Sequence, residues 1–251
     1  MARICVQATW DDAPHLTQKQ KDDLWAAIPP HQRDARAKGI PQLGSGVIYP
    51  IAESDIVCEP FEIPVYFRKA YGLDVGWKRT AAIWAAYDPD NDIAYLYAEH
   101  YRGEAEPAVH AQAIKSKGEW IPGVIDPASR GRSQHDGEQL YKAYRDDLGL
   151  KITIADNAVE AGIFEVWQRL SSGRLKVFPS CRNFLSEFRI YRRDEKGKVV
   201  KENDHLMDAA RYLCMSGLQV SAQPPHNQWG KMAHRVNRNE SDYDPSAWAR
   251  R

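Results

Sequence analysis

Three aspartates in this 251-residue chain stand where a carboxylate is costly: Asp74, Asp126 and Asp208. Asp74 lies in Tyr71-Gly72-Leu73-Asp74-Val75-Gly76, inside or at the end of an apolar run. Asp126 closes Gly123-Val124-Ile125-Asp126-Pro127, and Asp208 lies in Asp204-His205-Leu206-Met207-Asp208-Ala209, one turn into a helical stretch. An ionised carboxylate in apolar surroundings is unfavourable unless it is paired or bound to a cation. Hard oxygen ligands suit Mg²⁺ or Mn²⁺. Two such ions about 3.5–4 Å apart stabilise both the attacking and leaving oxygens of phosphodiester hydrolysis. Each acid also has a plainer explanation. Asp74 before Val75-Gly76 can be a turn residue, Asp126 before Pro127 an Asx-type turn, and Asp204 a helix N-cap. Three acids in these settings argue for a metal centre more strongly than any one does. His205 and Asp204 share a helix face with Asp208 and are auxiliary candidates. His205 either orients a water or phosphate or is a half-buried histidine of the first turn.

The elements that must position these acids follow from pattern. Strand-like runs at 70–75, 81–87 and 93–101 form a meander, the second and third joined by Asp88-Pro89-Asp90-Asn91-Asp92. Alternation follows: a helix over 107–116, a strand over 121–126, a helix over 137–147, a strand over 152–155, a helix over 158–170 and a strand over 175–178. Residues 184–201 read as a β-hairpin turning at Asp194-Glu195-Lys196-Gly197, and a last helix spans about 204–218. A meander joined to strand–helix alternation implies an α/β protein with a central mixed β-sheet flanked by helices. Upstream, 4–8 reads as a strand and 17–28 as a helix. The glycine- and proline-broken stretch 31–65 reads as an extended arm. The chain turns polar after Val220.

Composition excludes several classes. Lys+Arg and Asp+Glu are both 34, so the chain is not a uniformly basic binder, although a local positive groove is still allowed. Hydrophobic residues at 43% suit a buried core. Cys5, Cys58, Cys181 and Cys214 have neither zinc-site nor disulfide-scaffold spacing, which fits a reducing cytoplasm. No apolar run is long enough for a membrane span, and no phosphate loop of the GxxxxGK[ST] kind occurs, so no ATP site is expected.

Residues 182–202 carry Arg182, Arg189, Arg192, Arg193, Lys196, Lys198 and Lys201 against Glu187, Asp194, Glu195 and Glu202, a local positive excess. Arg189, Arg192, Arg193, Lys196 and Lys198 are candidates to track a DNA backbone, with Arg130 and Arg132 just past Asp126. The plainer explanation is a solvated two-stranded arm.

At these residues the chain resembles the C-terminal nuclease domain of tailed-bacteriophage large terminase subunits. Gly72-Leu73-Asp74-Val75-Gly76 matches the family's first strand and Asp126 its second acid. Asp204-His205-Leu206-Met207-Asp208-Ala209-Ala210-Arg211-Tyr212 matches its last helix. Upstream, Trp10-Asp11-Asp12-Ala13-Pro14-His15-Leu16 and Arg36-x-x-Gly39-Ile40-Pro41 look like the stretch joining the family's ATPase and nuclease domains. The resemblance implies a ribonuclease H-like fold with Asp74, Asp126 and Asp208 holding two divalent ions. It further implies cleavage of double-stranded concatemeric DNA during packaging in the host cytoplasm. Implied partners are the motor's ATPase domain, the small terminase subunit and the portal or procapsid. Expected domains are 1–64, an arm with a remnant of a preceding ATPase domain; 65–219, the nuclease; and 220–251, a flexible tail. The missing phosphate loop implies either a piece cut from a longer motor protein, which the strand-like run directly after Met1 favours, or a motor carried on a separate chain. Alternatives are a resolvase or transposase core, or a non-catalytic binding module.

Overall fold

A computed structural model describes residues 8–28, 33, 36–38, 46–127 and 140–225. The expected opening strand at 4–8 (all but its last residue), Arg130, Arg132 and the chain after 225 lie outside the described residues.

Strands β1 (Arg68–Asp74), β2 (Thr80–Asp88) and β3 (Ile93–Arg102) form the expected antiparallel meander. Its second turn is built by Asp88, whose carboxylate accepts from the Asp90 amide at 3.1 Å and the Asn91 side chain at 2.8 Å. Strands β4 (Gly123–Ile125), β5 (Ile152–Ile154) and β6 (Leu175–Val177) add in parallel, giving the order β5-β4-β1-β2-β3-β6. The sheet is therefore mixed.

The described residues also include helices α1 (Gln18–Ala27), α2 (Glu53–Ile56), α3 (Pro107–Lys115), α4 (Val159–Ser171), α5 (Arg182–Ile190) and α6 (His205–Tyr212). Helix α6 runs on through a π-turn at Leu213–Gly217 into Leu218–Val220. The stretch expected as a helix over 137–147 is described only from 140, and it contains a π-turn at Ala143–Asp147.

Both sheet faces are covered, which explains the unbroken apolar run of β2. Ala81, Ile83 and Ala85 pack under α4, α5 and α6, with Leu96, Phe184, Phe188 and Leu206. Ala82 and Trp84 join Tyr71, Leu73, Ile114 and Tyr144 on the other face. Central strands buried on two sides lose the polar alternation of a half-exposed sheet.

The expected hairpin over 184–201 is half right. The bridge Arg193↔Val199 and the bonds Val200 N to Arg192 O (3.0 Å), Asp194 N to Lys198 O (2.7 Å) and Gly197 N to Asp194 O (2.9 Å) form a short hairpin. Residues 182–190 are helix α5. Phe184, Ser186, Phe188 and Ile190 mimic strand alternation, but Phe184, Leu185 and Phe188 form a helical stripe that the core buries. Glu99 on β3 caps this helix by accepting from the Asn183 and Phe184 amides, each at 2.9 Å. The stretch expected as an arm packs on the body from residue 46. Tyr49 stacks on Phe188 at 6.1 Å, Ile56 is fully buried, and Val57 bridges Val177.

Candidate active site

Asp74 and Asp126 end neighbouring parallel strands. The register pairs Leu73 with Ile125, and the Asp126 amide donates to the Leu73 carbonyl at 3.0 Å. The next residues, Asp74 and Asp126, therefore leave the ladder side by side on strands about 4.8 Å apart. Gly72 shares their face, and there α6 lies almost on the strand. A Cβ at position 72 would stand 2.0 Å from the Ala209 carbonyl oxygen. That approach brings the first turn of α6, with His205 and Asp208, to the strand ends.

Each group is fixed by a partner. The His205 Nδ1 lies 2.9 Å from Asp74 Oδ2. The Tyr212 hydroxyl donates to Asp126 Oδ1 at 3.0 Å. Asp208 accepts from Lys201 Nζ at 2.9 Å and from Arg211 at 3.0 Å. Lys201 also lies 3.1 Å from Asp204. Arg211 is 1% exposed, and its other nitrogen donates to Asn157 at 2.9 Å. Gly162 makes room for it, since a Cβ there would sit 2.3 Å from the Arg211 side chain.

Asp204 holds the N-cap position of α6, but its side chain makes no capping bond. Glu187 does the capping from α5, accepting from the Leu206 amide at 2.6 Å and the Met207 amide at 3.3 Å. Its other oxygen accepts from the Tyr101 hydroxyl at 2.7 Å. A buried glutamate thus ties α5, β3 and the start of α6 together, and its charge suits a helix N-terminus.

The charges of the acids act on one another. Burial pushes the Asp74 carboxyl up, the His205 hydrogen bond draws it down, and the charges of Asp208 and Asp126 push it up again. The His205 imidazole is raised, first by its hydrogen bond to Asp74. The Tyr212 hydroxyl is driven up by burial and then by Asp126, Asp208 and Asp74, so it remains a donor. Lys201 is raised by Asp208 and Asp204, although burial acts most strongly in the other direction.

Among the described residues no three His, Cys, Asp or Glu side chains form a closed metal-ligand set as they stand. The donor chemistry nevertheless fits a hard divalent cation. Asp74 is a carboxylate raised chiefly by its burial, with His205 countering the charges of Asp208 and Asp126, and a cation would offset that burial. The ligands would be Asp74, Asp126 and Asp208.

A mixed sheet bearing acids at two adjacent strand ends and on a last helix is the ribonuclease H-like arrangement. Residues 72–216 match the family described as "Terminase RNaseH-like domain", and the chain belongs to that family. A terminase large subunit of Enterobacteria phage LP7 is 41% identical over 225 residues, covering 85% of this chain and 46% of the relative. The chain thus spans about half the length of that curated relative. The large terminase nuclease domain of phage P22 superposes with a TM-score of 0.67 at 36% identity, covering 72% of this chain and 96% of that one. The large terminase nuclease of thermophilic phage G20c, with bound magnesium, has the same fold, with a TM-score of 0.50 at 14% identity over 68% of this chain and 97% of that one.

Of the expected DNA-contact residues, Arg189 makes a bidentate pair with Glu53 (2.6 and 2.7 Å) and Arg193 one with Glu160 (2.6 and 2.9 Å). Those guanidinium groups staple α5 to α2 and the short hairpin to α4. Lys196 and Lys198 are exposed beside the turn, and Arg192 lies in the hairpin ladder. Reasoning from the sequence assigned no role to Glu187, Tyr212 or Arg211. Tyr212 and Arg211 had a usable signal, being four and three residues beyond Asp208 on one helix face.

Proposed function

We propose that this chain is a metal-dependent endonuclease cutting double-stranded, concatemeric viral DNA during genome packaging, with little sequence preference. The observation that carries it is the meeting of Asp74, Asp126 and Asp208 at the ends of β1 and β4 and the first turn of α6, in a chain of the terminase family. The magnesium bound by the G20c nuclease supports a divalent cofactor. Two Mg²⁺ or Mn²⁺ ions would polarise the phosphate, generate the attacking hydroxide and stabilise the leaving oxygen.

The chain's own groups do the rest. Asp74, Asp126 and Asp208 supply hard oxygen ligands. Tyr212 and Arg211 hold Asp126 and Asp208 in fixed orientations. His205 holds Asp74 and orients a water or phosphate beside it. Arg192, Lys196 and Lys198 meet backbone phosphates, and Arg130 and Arg132, four and six residues past Asp126 in the sequence, are further candidates. The motor's ATPase domain, the small terminase subunit and the portal or procapsid are the partners this role requires. Its setting is the host cytoplasm. Among the described residues no helix is long and apolar enough to cross a membrane.

The test is nicking of supercoiled plasmid by the chain in Mg²⁺, Mn²⁺ or EDTA. Cutting in either metal that stops in EDTA and in Asp74→Asn supports the reading. Cutting that persists in EDTA overturns it.

A further inference from the structure

The turn joining β1 to β2 displays Trp77, 65% exposed and the most exposed large hydrophobic side chain among the described residues. One exposed apolar side chain needs no explanation by itself. Here, however, the backbone beneath it is pinned. The Glu104 amide donates to the Trp77 carbonyl at 2.8 Å, and the Thr80 hydroxyl donates to the Gly76 carbonyl at 3.0 Å. The chain at Gly103 passes so near that a Cβ there would stand 2.0 Å from the Lys78 carbonyl oxygen. A fixed turn therefore holds an indole in solvent, giving up the burial that large aromatics usually find in a core.

Its position and neighbours point to a ligand. Trp77 follows Asp74 by three residues, so their Cα atoms lie within about 11 Å of each other. Lys78, at the tip, is exposed. The Arg79 guanidinium lies 4.4 Å over the Tyr101 ring, and Tyr101 packs 6.4 Å from the His205 ring that bonds Asp74. An aromatic face flanked by cations beside a phosphodiester-cleaving centre is the combination that holds single-stranded nucleic acid. There the bases stack on the ring while the cations meet phosphates.

We infer that Trp77 stacks on a nucleobase of the DNA strand entering the acid cluster, while Lys78 contacts a neighbouring phosphate. This rests on the DNA-nuclease reading above. The stacked base comes from an unpaired or locally opened segment, because bases in an intact duplex already stack on each other.

The experiment measures binding of the full chain to a fluorescent oligonucleotide, single-stranded and as a duplex, in Ca²⁺ over a salt series. Trp77→Ala is expected to weaken single-strand binding about tenfold, with a smaller loss for duplex, an unchanged salt slope and an unchanged melting temperature. Trp77→Phe is expected to restore most of the affinity. Lys78→Ala is expected to reduce the salt slope by roughly one. Unchanged affinity in Trp77→Ala overturns the inference and leaves the nuclease reading standing, because the parent chain still binds. A parent chain that binds neither DNA removes both. A melting temperature that falls together with affinity in Trp77→Ala makes the residue a folding element and also overturns the inference.

Discussion

The main chain of Ala209 crosses Gly72 with no room for a side chain, since a Cβ at position 72 would stand 2.0 Å from the Ala209 carbonyl oxygen and 3.1 Å from the Leu213 Cβ. Both obstacles belong to α6 and its continuation, so the strand bearing Asp74 and the helix bearing Asp208 can approach only through a glycine. Gly72→Ala is expected to push them apart, destabilising the fold by about 1–3 kcal/mol as an overpacked core position. Cleavage should fall further than stability does, because the shift is applied between two of the acids. Thermal melting and nicking rates, compared at a temperature where both proteins are folded, check this. A fully active Gly72→Ala chain would show that the strand–helix spacing does not set the site.

Replacing the acids separates chemistry from stability. Asp74→Asn, Asp126→Asn and Asp208→Asn are each expected to abolish cleavage. Each should also erase the thermal stabilisation by Mn²⁺, which in the parent reaches about 2.7 kcal/mol at a hundredfold excess over Kd. Without metal they should differ. Asp74→Asn removes a charge that burial disfavours while keeping an oxygen for His205, and should melt close to the parent. Asp208→Asn leaves Arg211, 1% exposed, without its counter-charge and is expected to lose up to about 3 kcal/mol. Asp204→Asn should cost little of either, because Asp204 makes no cap and pairs with a Lys201 whose side chain is 58% exposed. Full activity in any of the first three variants removes that residue from the site.

Glu187 is the positioning residue to test. Glu187→Ala leaves the Leu206 and Met207 amides without their acceptor at the buried start of α6. A loss of about 1–3 kcal/mol is expected for such orphaned groups. Glu187→Gln keeps one acceptor oxygen and should recover part of it. If Glu187 acts through α6, both variants weaken Mn²⁺ binding in the same order as they lower the melting temperature. Normal metal affinity in Glu187→Ala would confine it to folding.

The contrast between what was legible and what was not has a physical basis. The meander, the parallel additions and the three acids each rest on local signals: alternating or continuous apolar runs, the Asp88–Asp92 turn, and carboxylates at strand ends. Helix α5 was not legible, because Phe184, Ser186, Phe188 and Ile190 satisfy a period of two as well as Phe184, Leu185 and Phe188 satisfy 3.6. Only burial against Tyr49 and the capping by Glu99 decide between the two. With α5 misread, Glu187 looked like one charge of a hairpin arm and not a cap reaching 19 residues along the chain. Asp204 looked like the cap because local preference favours it. The partners of Arg189 and Arg193, 136 and 33 residues away, leave no local trace.

The pair of half-buried His100 and buried His110 gives a pH dependence that does not involve the acids. His100 Nε2 lies 2.9 Å from His110 Nδ1, and His110 Nε2 lies 3.2 Å from the Ala105 carbonyl oxygen. Burial, then the neighbouring His110, lowers the His100 imidazole to about 4. The folded value lies below the unfolded value near 6.5. The resulting stability is therefore complete above pH 6.5 and is lost as pH falls towards 4. At about 1.4 kcal/mol per unit, discounted for partial exposure, about 2 kcal/mol is at stake. Melting curves between pH 7 and 4 should show a steeper acid loss in the parent than in His100→Gln, which cannot take up a proton. Parallel curves would remove the pair from the acid transition.

The cations near the short hairpin divide into two groups with opposite expectations. Arg189 and Arg193 are held by Glu53 and Glu160, so removing either guanidinium should lower the melting temperature slightly and leave the salt slope of DNA binding unchanged. The exposed Lys196 and Lys198 have no such ion pair within the described residues. Each alanine substitution there should reduce the slope of log affinity against log salt by about 0.9 on duplex DNA, uniformly across sequences. Arg192→Ala should behave like the lysines, because only its main chain is committed, to the hairpin ladder. The measurement is affinity for several unrelated duplexes at low and high salt, in Ca²⁺. A slope that drops in Arg193→Ala but not in Lys198→Ala would mean that the Glu160 pair opens to admit DNA, and the interface would then run along α4 instead of the hairpin turn.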